Sequence, residues 1–313
     1  MERLFLKFNI SKAIRDNMFV DACAKSVKYT KPLITSLAMV DGTVTSGVAS
    51  FVMVNREGWA ITAAHCVSAF MQQRECHEKM RQVDAWNNEH PDSKKEYDPK
   101  WLRAHSFWWG HDNIRMGEVH YMGDIDLAIV KLLNVPDGFV TEYPTFKSPD
   151  GIKMGMSVCR IGFPFVTIKT EFEPEMNRFR LDNPPHVISQ YFPNDGIITR
   201  NVVKAIVTPD GKISQMGASG IQPLYVETST PGLKGQSGGP IFDTQGNIVA
   251  IQSVTVPINL GFGIIKDANG NTLPEEYMYV GNGVHVRTVI QALEKVGVKY
   301  KSESDDDGYR IVG

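Results

Sequence analysis

The chain has 313 residues, of which 42% are hydrophobic, and its 33 basic and 35 acidic residues leave a net charge of −2. This length supplies a well-buried core for one large domain or two small ones, and the 27 glycines and 17 prolines are typical of a protein built from strands and turns. Because the two signs of charge nearly balance, no global field favours nucleic acid or a membrane surface as a partner.

Residues 1–35 are predicted to form an N-terminal extension that contains a helix, since Ile14, Met18 and Phe19 recur at roughly helical spacing. Lys7 interrupts the apolar start of this segment, and no small-residue cleavage site follows it. A secretory signal is therefore not expected, and no uncharged stretch reaches membrane-spanning length. These features predict a cytoplasmic protein.

The next elements predict a hairpin that ends at a histidine. Residues 44–64 are rich in strand-forming side chains and contain the turn sequence Asn55–Gly58. His65 follows the second strand directly, within the segment Thr62–Cys66. The sequence thus places an imidazole at the end of a strand.

Residues 68–115 form a predicted insertion that is rich in charge and in tryptophan. Two interpretations stay open: a helical decoration packed on the neighbouring strands, or a docking surface for a partner. Beyond it, residues 117–133 predict two strands around Gly123.

Two aspartates, Asp124 and Asp126, stand near the start of the second of these strands. Alternation places both on one face of a strand, so periodicity cannot separate them. Asp126 opens a run of one small and several apolar residues that ends at Lys131, and this pattern favours Asp126 over Asp124.

The second half of the chain again consists of strands and long connections. Ser157–Gly162 predicts a buried strand, and residues 163–200 form a proline-rich excursion. Residues 197–207 and 220–227 predict strands that flank a turn at 209–211.

Near the end of the chain, residues 243–247 predict a tight hairpin turn between two short apolar strands. Residues 256–280 are rich in loop-forming residues, and residues 289–296 carry an apolar stripe typical of a closing helix. The tail 300–313 is acidic, a composition typical of disordered segments.

A serine between glycines, Ser237, lies within Gly235–Pro240 and precedes an apolar run. His65, Asp126 and Ser237 therefore occur in this order, each in a distinctive local context. Serine nucleophile chemistry requires a hydroxyl, a base to take its proton and a carboxylate to orient that base.

These motifs resemble those of the trypsin/chymotrypsin superfamily of serine peptidases over roughly residues 44–295. Ser157–Pro164 and Tyr225–Pro240 are similar to the bacterial Deg-type (high-temperature-requirement) branch, although the PDZ-like region usual in that branch is not expected here. The resemblance implies an all-β-dominated, chymotrypsin-like fold of two six-stranded antiparallel β-barrels, with helical insertions and a C-terminal helix. It divides the chain into an N-terminal extension (1–35), a first barrel (36–140, with the insertion 68–115), a second barrel with its closing helix (141–299) and an acidic tail (300–313).

The resemblance implies a serine endopeptidase that cleaves proteins or peptides through an acyl-enzyme. Ser237 would be the nucleophile, His65 the base and later the acid, and Asp126 the acceptor of the other imidazole proton. The backbone amides of Gly235 and Ser237 would form the oxyanion hole, where one donor is worth about 3 kcal/mol. Neither a metal nor another cofactor is expected.

Gln236 departs from trypsin and chymotrypsin, which carry an aspartate immediately before the serine. A glutamine cannot form an ion pair with a newly cut N-terminus, so proteolytic activation of that kind is not expected. By similarity to Deg-type enzymes, we expect control through ordering of loops 163–200 and 256–280. A regulatory protein partner would bind through 68–115 or 163–200.

The resemblance also implies a substrate pocket. Its predicted lining residues are Gln252, Ser253, Val254, Thr255 and His285. Ser253 would pair with the substrate backbone as an added strand. Thr255 and His285 would suit cleavage after Glu or Asp, unless His285 is a core residue of its strand. Pro231 falls near the position of the acidic floor residue of trypsin, which argues against cleavage after Arg or Lys.

The four cysteines are Cys23, Cys66, Cys76 and Cys159. Their spacing matches no zinc motif, and the strand before Cys66 offers no partner, so reduced thiols are expected.

Two other functional classes compete with the endopeptidase. The first is an interaction module on the same fold whose triad is latent or inactive. The second is an α/β-hydrolase esterase, which fits poorly because that fold orders its triad as serine, acid, histidine.

Overall fold

Two curved antiparallel sheets, joined by one connection, make up the body of the protein. The computed structural model describes residues 18–182, 190–207, 213–261 and 276–303. The predicted turn 209–211, part of each long loop, the start of the extension and most of the acidic tail lie outside these residues.

The first sheet has six strands: β1 (Thr30–Met39), β2 (Val44–Met53), β3 (Trp59–Thr62), β4 (Leu102–Trp108), β5 (Arg115–Met122) and β6 (Leu127–Leu133). They pair in the order β4-β1-β2-β3-β6-β5. In the described ranges β4 and β5 do not pair, so this barrel stays open along one seam. Its first strand begins at Thr30, within the predicted N-terminal extension.

The second sheet closes on itself. Its strands are β7 (Thr145–Phe146), β8 (Ser157–Gly162), β11 (Phe192–Val203), β14 (Leu224–Thr228), β15 (Pro240–Phe242), β16 (Ile248–Asn259), β17 (Tyr277–His285) and β18 (Lys301–Ser302). Six of them pair in the order β15-β8-β11-β14-β17-β16, and a further β15–β16 pairing completes a six-stranded ring. The two short strands β7 and β18 extend it by parallel pairing. The predicted chymotrypsin-like two-barrel fold is confirmed.

Two small hairpins decorate the second half of the chain. They consist of β9 (Thr170–Glu173) with β10 (Arg178–Leu181), and of β12 (Ile206–Val207) with β13 (Ile213–Ser214). The Thr170 hydroxyl bonds those of Ser36 and Ser46, at 3.2 and 2.6 Å, so the first hairpin is fastened to the first barrel.

Three α-helices lie in the described ranges: α1 (Val20–Tyr29), α2 (Ala69–Glu89) and α3 (Val286–Val296). Helix α2 occupies part of the predicted insertion 68–115, but the same segment also supplies β4, a strand of the first sheet. Of the 21 residues of α2 only Ala69 is buried. Helix α3 begins three residues before the predicted closing helix and ends at Val296 as predicted.

The two barrels share a continuous apolar core. One cluster of buried side chains joins Ile61 and Ile129 of the first barrel to Tyr225 and Val284 of the second. Burial of this surface fixes the barrels against each other, and the cleft between them holds the candidate site. No helix in the described ranges is long and apolar enough to cross a membrane.

Candidate functional site

A cavity of about 770 Å³ opens between the two barrels. His65 and Asp126 reach it from the ends of the first barrel's strands, whereas Ser237, Gln252 and Ser253 reach it from the second barrel. The packing of the barrels therefore brings together residues that are far apart in the sequence.

His65 and Asp126 form a closely fitted pair. The ring Nδ1 of His65 lies 3.0 Å from each carboxylate oxygen of Asp126, and the His65 backbone amide donates to Oδ1 at 3.0 Å. Asp126 adopts a left-handed φ of 51° in the turn before β6. This turn directs the carboxylate to the short 3₁₀ turn Ala64–Val67 that carries His65.

The electrostatics of this pair stabilise the positive charge that the imidazole gains when it takes up a proton. The hydrogen bond to Asp126 raises the pKa of His65 well above its ordinary value, against the opposing effect of burial. Burial raises the pKa of Asp126, but the hydrogen bond and charge of His65, together with the hydroxyl of Ser253, outweigh it and lower that pKa. Ser253 Oγ donates to Asp126 Oδ2.

Asp124 does not reach His65. Its carboxylate accepts hydrogen bonds from the backbone amide and hydroxyl of Ser219, at 2.9 and 2.8 Å. Residues 123–126 form a turn and not a strand, so strand alternation does not apply to the two aspartates. The structure brings Asp126, and not Asp124, to the histidine.

Ser237 lies in the same cleft on a loop that both barrels hold. Its carbonyl accepts from the Ser50 amide of the first barrel at 2.8 Å, and the next amide, that of Gly238, donates to Gln252 O at 2.8 Å. The Ser237 hydroxyl donates to Ser253 O at 3.3 Å. Within the described residues it makes no hydrogen bond to His65, so the hydroxyl must rotate before the histidine can take its proton.

Two backbone amides beside Ser237 are free to bind an anion. The Gly235 carbonyl is turned away by hydrogen bonds from Ser50 Oγ at 2.8 Å and from Phe163 N at 3.2 Å. Gly235 has a φ of +105°, and a Cβ there would lie 2.3 Å from Phe163 O, so only glycine fits. No described group accepts from the amides of Gly235 or Ser237, which suits the predicted oxyanion site.

Gln236 is fully buried and ties this loop together. Its Oε1 accepts from Leu233 N at 2.9 Å, and its Nε2 donates to Phe192 O at 3.1 Å. One neutral side chain thus joins the turn before the serine to the start of β11. Gln236 stands where trypsin and chymotrypsin carry an aspartate.

Four of the predicted pocket residues, Gln252, Ser253, Val254 and Thr255, line the cavity. His285 does not: it is buried at the end of β17, and its Nδ1 accepts from the Arg287 amide at 2.9 Å as the N-cap of α3. Burial, with a smaller effect of Arg287, lowers the pKa of His285 to about 4. This imidazole is therefore a neutral structural group outside the cleft.

Arg160, which packs behind the pocket, was not predicted from the sequence as part of the site. It is 1% exposed within β8, and its Nη1 donates to Gln252 Oε1 at 2.9 Å. A charged residue in an otherwise apolar strand is the signal that could have found it. The four cysteines are free thiols, as expected, and Cys66 and Cys159 are buried.

A comparison with models of protein families identifies one family that matches this chain. The model of the trypsin-like peptidase domain matches residues 46–251. None of the curated proteins matches the sequence.

Two solved protease structures are similar to the chain at low sequence identity. The active form of the Rv3671c protease from M. tuberculosis is 13% identical, with a TM-score of 0.49 over 90% of this chain and 86% of that one. The HtrA-type protease AlgW with a tripeptide is 13% identical, with a TM-score of 0.45 over 89% of this chain and 63% of its own.

Proposed function

The chain belongs to the trypsin-like peptidase domain family, and we propose on this premise that it is a serine endopeptidase that cleaves protein substrates through an acyl-enzyme. The observation that carries the proposal is the His65–Asp126 pair, with Nδ1 3.0 Å from both carboxylate oxygens, in the same cleft as Ser237. Because Nδ1 is hydrogen-bonded to Asp126, Nε2 is the ring nitrogen that accepts and returns the proton.

In the proposed reaction Ser237 Oγ first leaves the Ser253 carbonyl and turns toward His65. His65 Nε2 takes the hydroxyl proton while Oγ attacks the scissile carbonyl carbon. The amides of Gly235 and Ser237 then hydrogen-bond the oxyanion. The imidazolium gives its proton to the leaving amine as the peptide C–N bond breaks, which leaves the acyl-enzyme. A water molecule, deprotonated by His65, then attacks the acyl carbon. The ester bond to Ser237 breaks, Oγ regains its proton and the acid product leaves.

Asp126 has an orienting and electrostatic role in this scheme. It keeps the imidazole in one tautomer and stabilises the imidazolium that forms in each half-reaction. Ser253 supports it, because its hydroxyl donates to Asp126 and its carbonyl, once Ser237 turns away, becomes free to accept from a substrate backbone.

Control by loop ordering or by a partner remains part of the proposal. The Gln236–Phe192 hydrogen bond connects the serine loop to the excursion 163–200, so disorder in that excursion would release the loop. The exposed helix α2, with Phe70, Met71 and Trp86 partly in solvent, supports a partner-binding role for 68–115.

The alternative function is an interaction module with a latent triad. One observation favours it: the Ser237 hydroxyl bonds Ser253 O and not His65. A module of this kind would hydrolyse no peptide until a partner turned the serine.

The proposal is tested by incubating the purified chain with casein, alongside Ser237→Ala and the exposed control Ser93→Ala. We expect fragments from the wild type and from Ser93→Ala, and none from Ser237→Ala. Equal cleavage by Ser237→Ala would overturn the nucleophile. No cleavage by any of the three proteins would favour the latent module.

A further inference from the structure

Behind the cleft lies a buried positive charge without a carboxylate. Arg160 is 1% exposed, and its described partners are neutral: Gln252 Oε1 at 2.9 Å and the hydroxyl of Thr228. No described acidic side chain forms a salt bridge with it. An uncompensated buried charge costs free energy, so its presence calls for a role.

The guanidinium remains charged at neutral pH. Burial lowers its pKa to about 10, which still lies far above 7. Gly281 leaves the space that it occupies, since a Cβ there would lie 2.2 Å from Nη1.

Arg160 determines how Gln252 faces the cleft. A guanidinium has only donors, so the side chain of Gln252 must turn its oxygen to Arg160 and its amide nitrogen away. That nitrogen lies against Gly232 of the pocket wall, where a Cβ would approach it to 2.2 Å. The same nitrogen donates two long hydrogen bonds, to Asn282 O at 3.4 Å and to Val254 O at 3.5 Å. The wall of the pocket therefore holds a polarised amide whose long hydrogen bonds can be exchanged for one to a charged acceptor.

The exposed charged residues that line the cavity are positive, like Arg160. Lys204 and Lys234 line the cavity and are exposed, while Asp126, the acidic residue of the lining, is paired with His65. An anionic side chain that entered here would accept from Gln252 and supply the counter-charge that Arg160 lacks. A cationic side chain would be repelled.

We propose that Arg160, acting through Gln252, makes this pocket select substrates with an acidic side chain, glutamate or aspartate, at the residue whose carbonyl is cleaved. The inference rests on the proposed peptidase function. Arg160 is a specificity-determining residue that does not touch the substrate, and it replaces His285 as the basis for an acidic preference.

The test uses fluorogenic peptides that differ only at the cleaved position, which is Glu, Asp, Gln, Leu or Lys. For the wild type we expect kcat/KM for Glu to exceed that for Gln and Leu by about 10-fold or more, with Lys the poorest. Equal rates for Glu and Gln, or a preference for Leu or Lys, would overturn the inference.

Substitutions of Arg160 show whether its charge, and not only its packing, sets the substrate preference. Arg160→Gln should bring Glu and Gln within about 3-fold of each other, and Arg160→Lys should recover part of the preference. The control Arg200→Gln removes an exposed arginine that is paired with Glu227 and should leave the preference unchanged. If the Arg160 variants do not fold, the wild-type profile alone decides.

A fluorophosphonate, which has no side chain for the pocket, distinguishes the two possible failures. Labelling of the wild type together with no preference for acidic peptides would refute only the role of Arg160. Absence of both labelling and cleavage would refute the proposed function.

Discussion

Asp126 joins three groups of the site at the scale of single residues. Its carboxylate accepts from the ring and the backbone of His65 and from the hydroxyl of Ser253. The hydrogen bond from the backbone amide fixes the position of His65 in its 3₁₀ turn. The hydrogen bond from Nδ1 fixes the orientation of the imidazole ring. One side chain thus sets both the position and the tautomer of the proposed base.

Replacing this carboxylate should stop catalysis without unfolding the protein. Asp126→Asn keeps the size of the side chain but lets Nδ1 lose its anionic partner, so we expect kcat to fall by about 10⁴-fold. The matched control is Asp124→Asn, two residues away, whose carboxylate is occupied by Ser219 and which should retain kcat within a few-fold. Comparable losses in both variants, measured on one peptide, would contradict the assignment.

The limits of the sequence at this scale are physical. The three proposed catalytic residues could be selected from the sequence because each lies in a distinctive local pattern. Asp124 and Asp126 could not be separated by strand period because a turn, set by tertiary contacts, holds them. Arg160 was overlooked because an apolar strand pattern carries no information on what one charged residue meets across the barrel.

The loop before Ser237 is the element that positions the anion-binding amides. Gln236, inside it, satisfies Leu233 N and Phe192 O. Gln236→Leu would leave both of these partly buried backbone groups without this partner, at about 1 kcal/mol each.

We expect Gln236→Leu to lower kcat by about 10- to 100-fold, because the amides of Gly235 and Ser237 lose their fixed direction. The control Gln245→Leu places the same substitution on an exposed turn and should leave kcat unchanged. The measurement is kcat on one peptide together with thermal unfolding. Wild-type kcat in a folded Gln236→Leu would refute the role of this side chain.

Helix α3 provides a stability test that depends on pH. His285 caps it as a neutral imidazole, with a pKa lowered to about 4 in the folded protein against an ordinary value of about 6.5. Between these values the unfolded chain binds a proton that the folded chain does not. Stability from this group is therefore complete above pH 6.5 and is lost as the pH falls toward 4.

His285→Asn keeps a cap acceptor and removes this titration. In urea unfolding it should match the wild type near pH 7.5 and lose roughly 3 kcal/mol less than the wild type by pH 4. His285→Ala should be about 1 kcal/mol less stable than the Asn variant at pH 7.5. Parallel pH profiles for wild type and Asn variant would contradict the neutral buried cap.

Elements that end in tight turns could be predicted from the sequence, among them β2–β3, β5–β6 and β15–β16. Strand β4 was missed, because its tryptophan and charged neighbours resemble a surface insertion although it pairs with β1 along one edge. The position of His285 was misjudged because α3 begins at Val286, so that strand and helix meet at this residue.

At the scale of the whole molecule, the contact between the two barrels depends on Gly238. Its φ is +81°, and a Cβ would lie 2.2 Å from both Ser50 O and Thr62 Oγ1 of the first barrel. Any side chain here would push the serine loop away from the histidine and separate the barrels.

Gly42 is a matched control for that substitution, with a φ of +86° and no atom near its would-be Cβ. Gly42→Ala should cost about 1 kcal/mol from backbone strain alone, whereas Gly238→Ala should cost several kcal/mol and abolish peptide cleavage. Denaturant unfolding and cleavage rates measure both. Equal effects would show that barrel contact at this loop is unimportant.

The most direct test of the whole account is to treat the folded chain with a fluorophosphonate and map the adduct by mass spectrometry. We predict one adduct per chain, on Ser237, lost in Ser237→Ala and strongly slowed in Asp126→Asn but not in Asp124→Asn. An adduct on another residue, or no adduct on a folded chain that still cleaves peptides, would contradict the assignment of Ser237, His65 and Asp126 as the catalytic machinery.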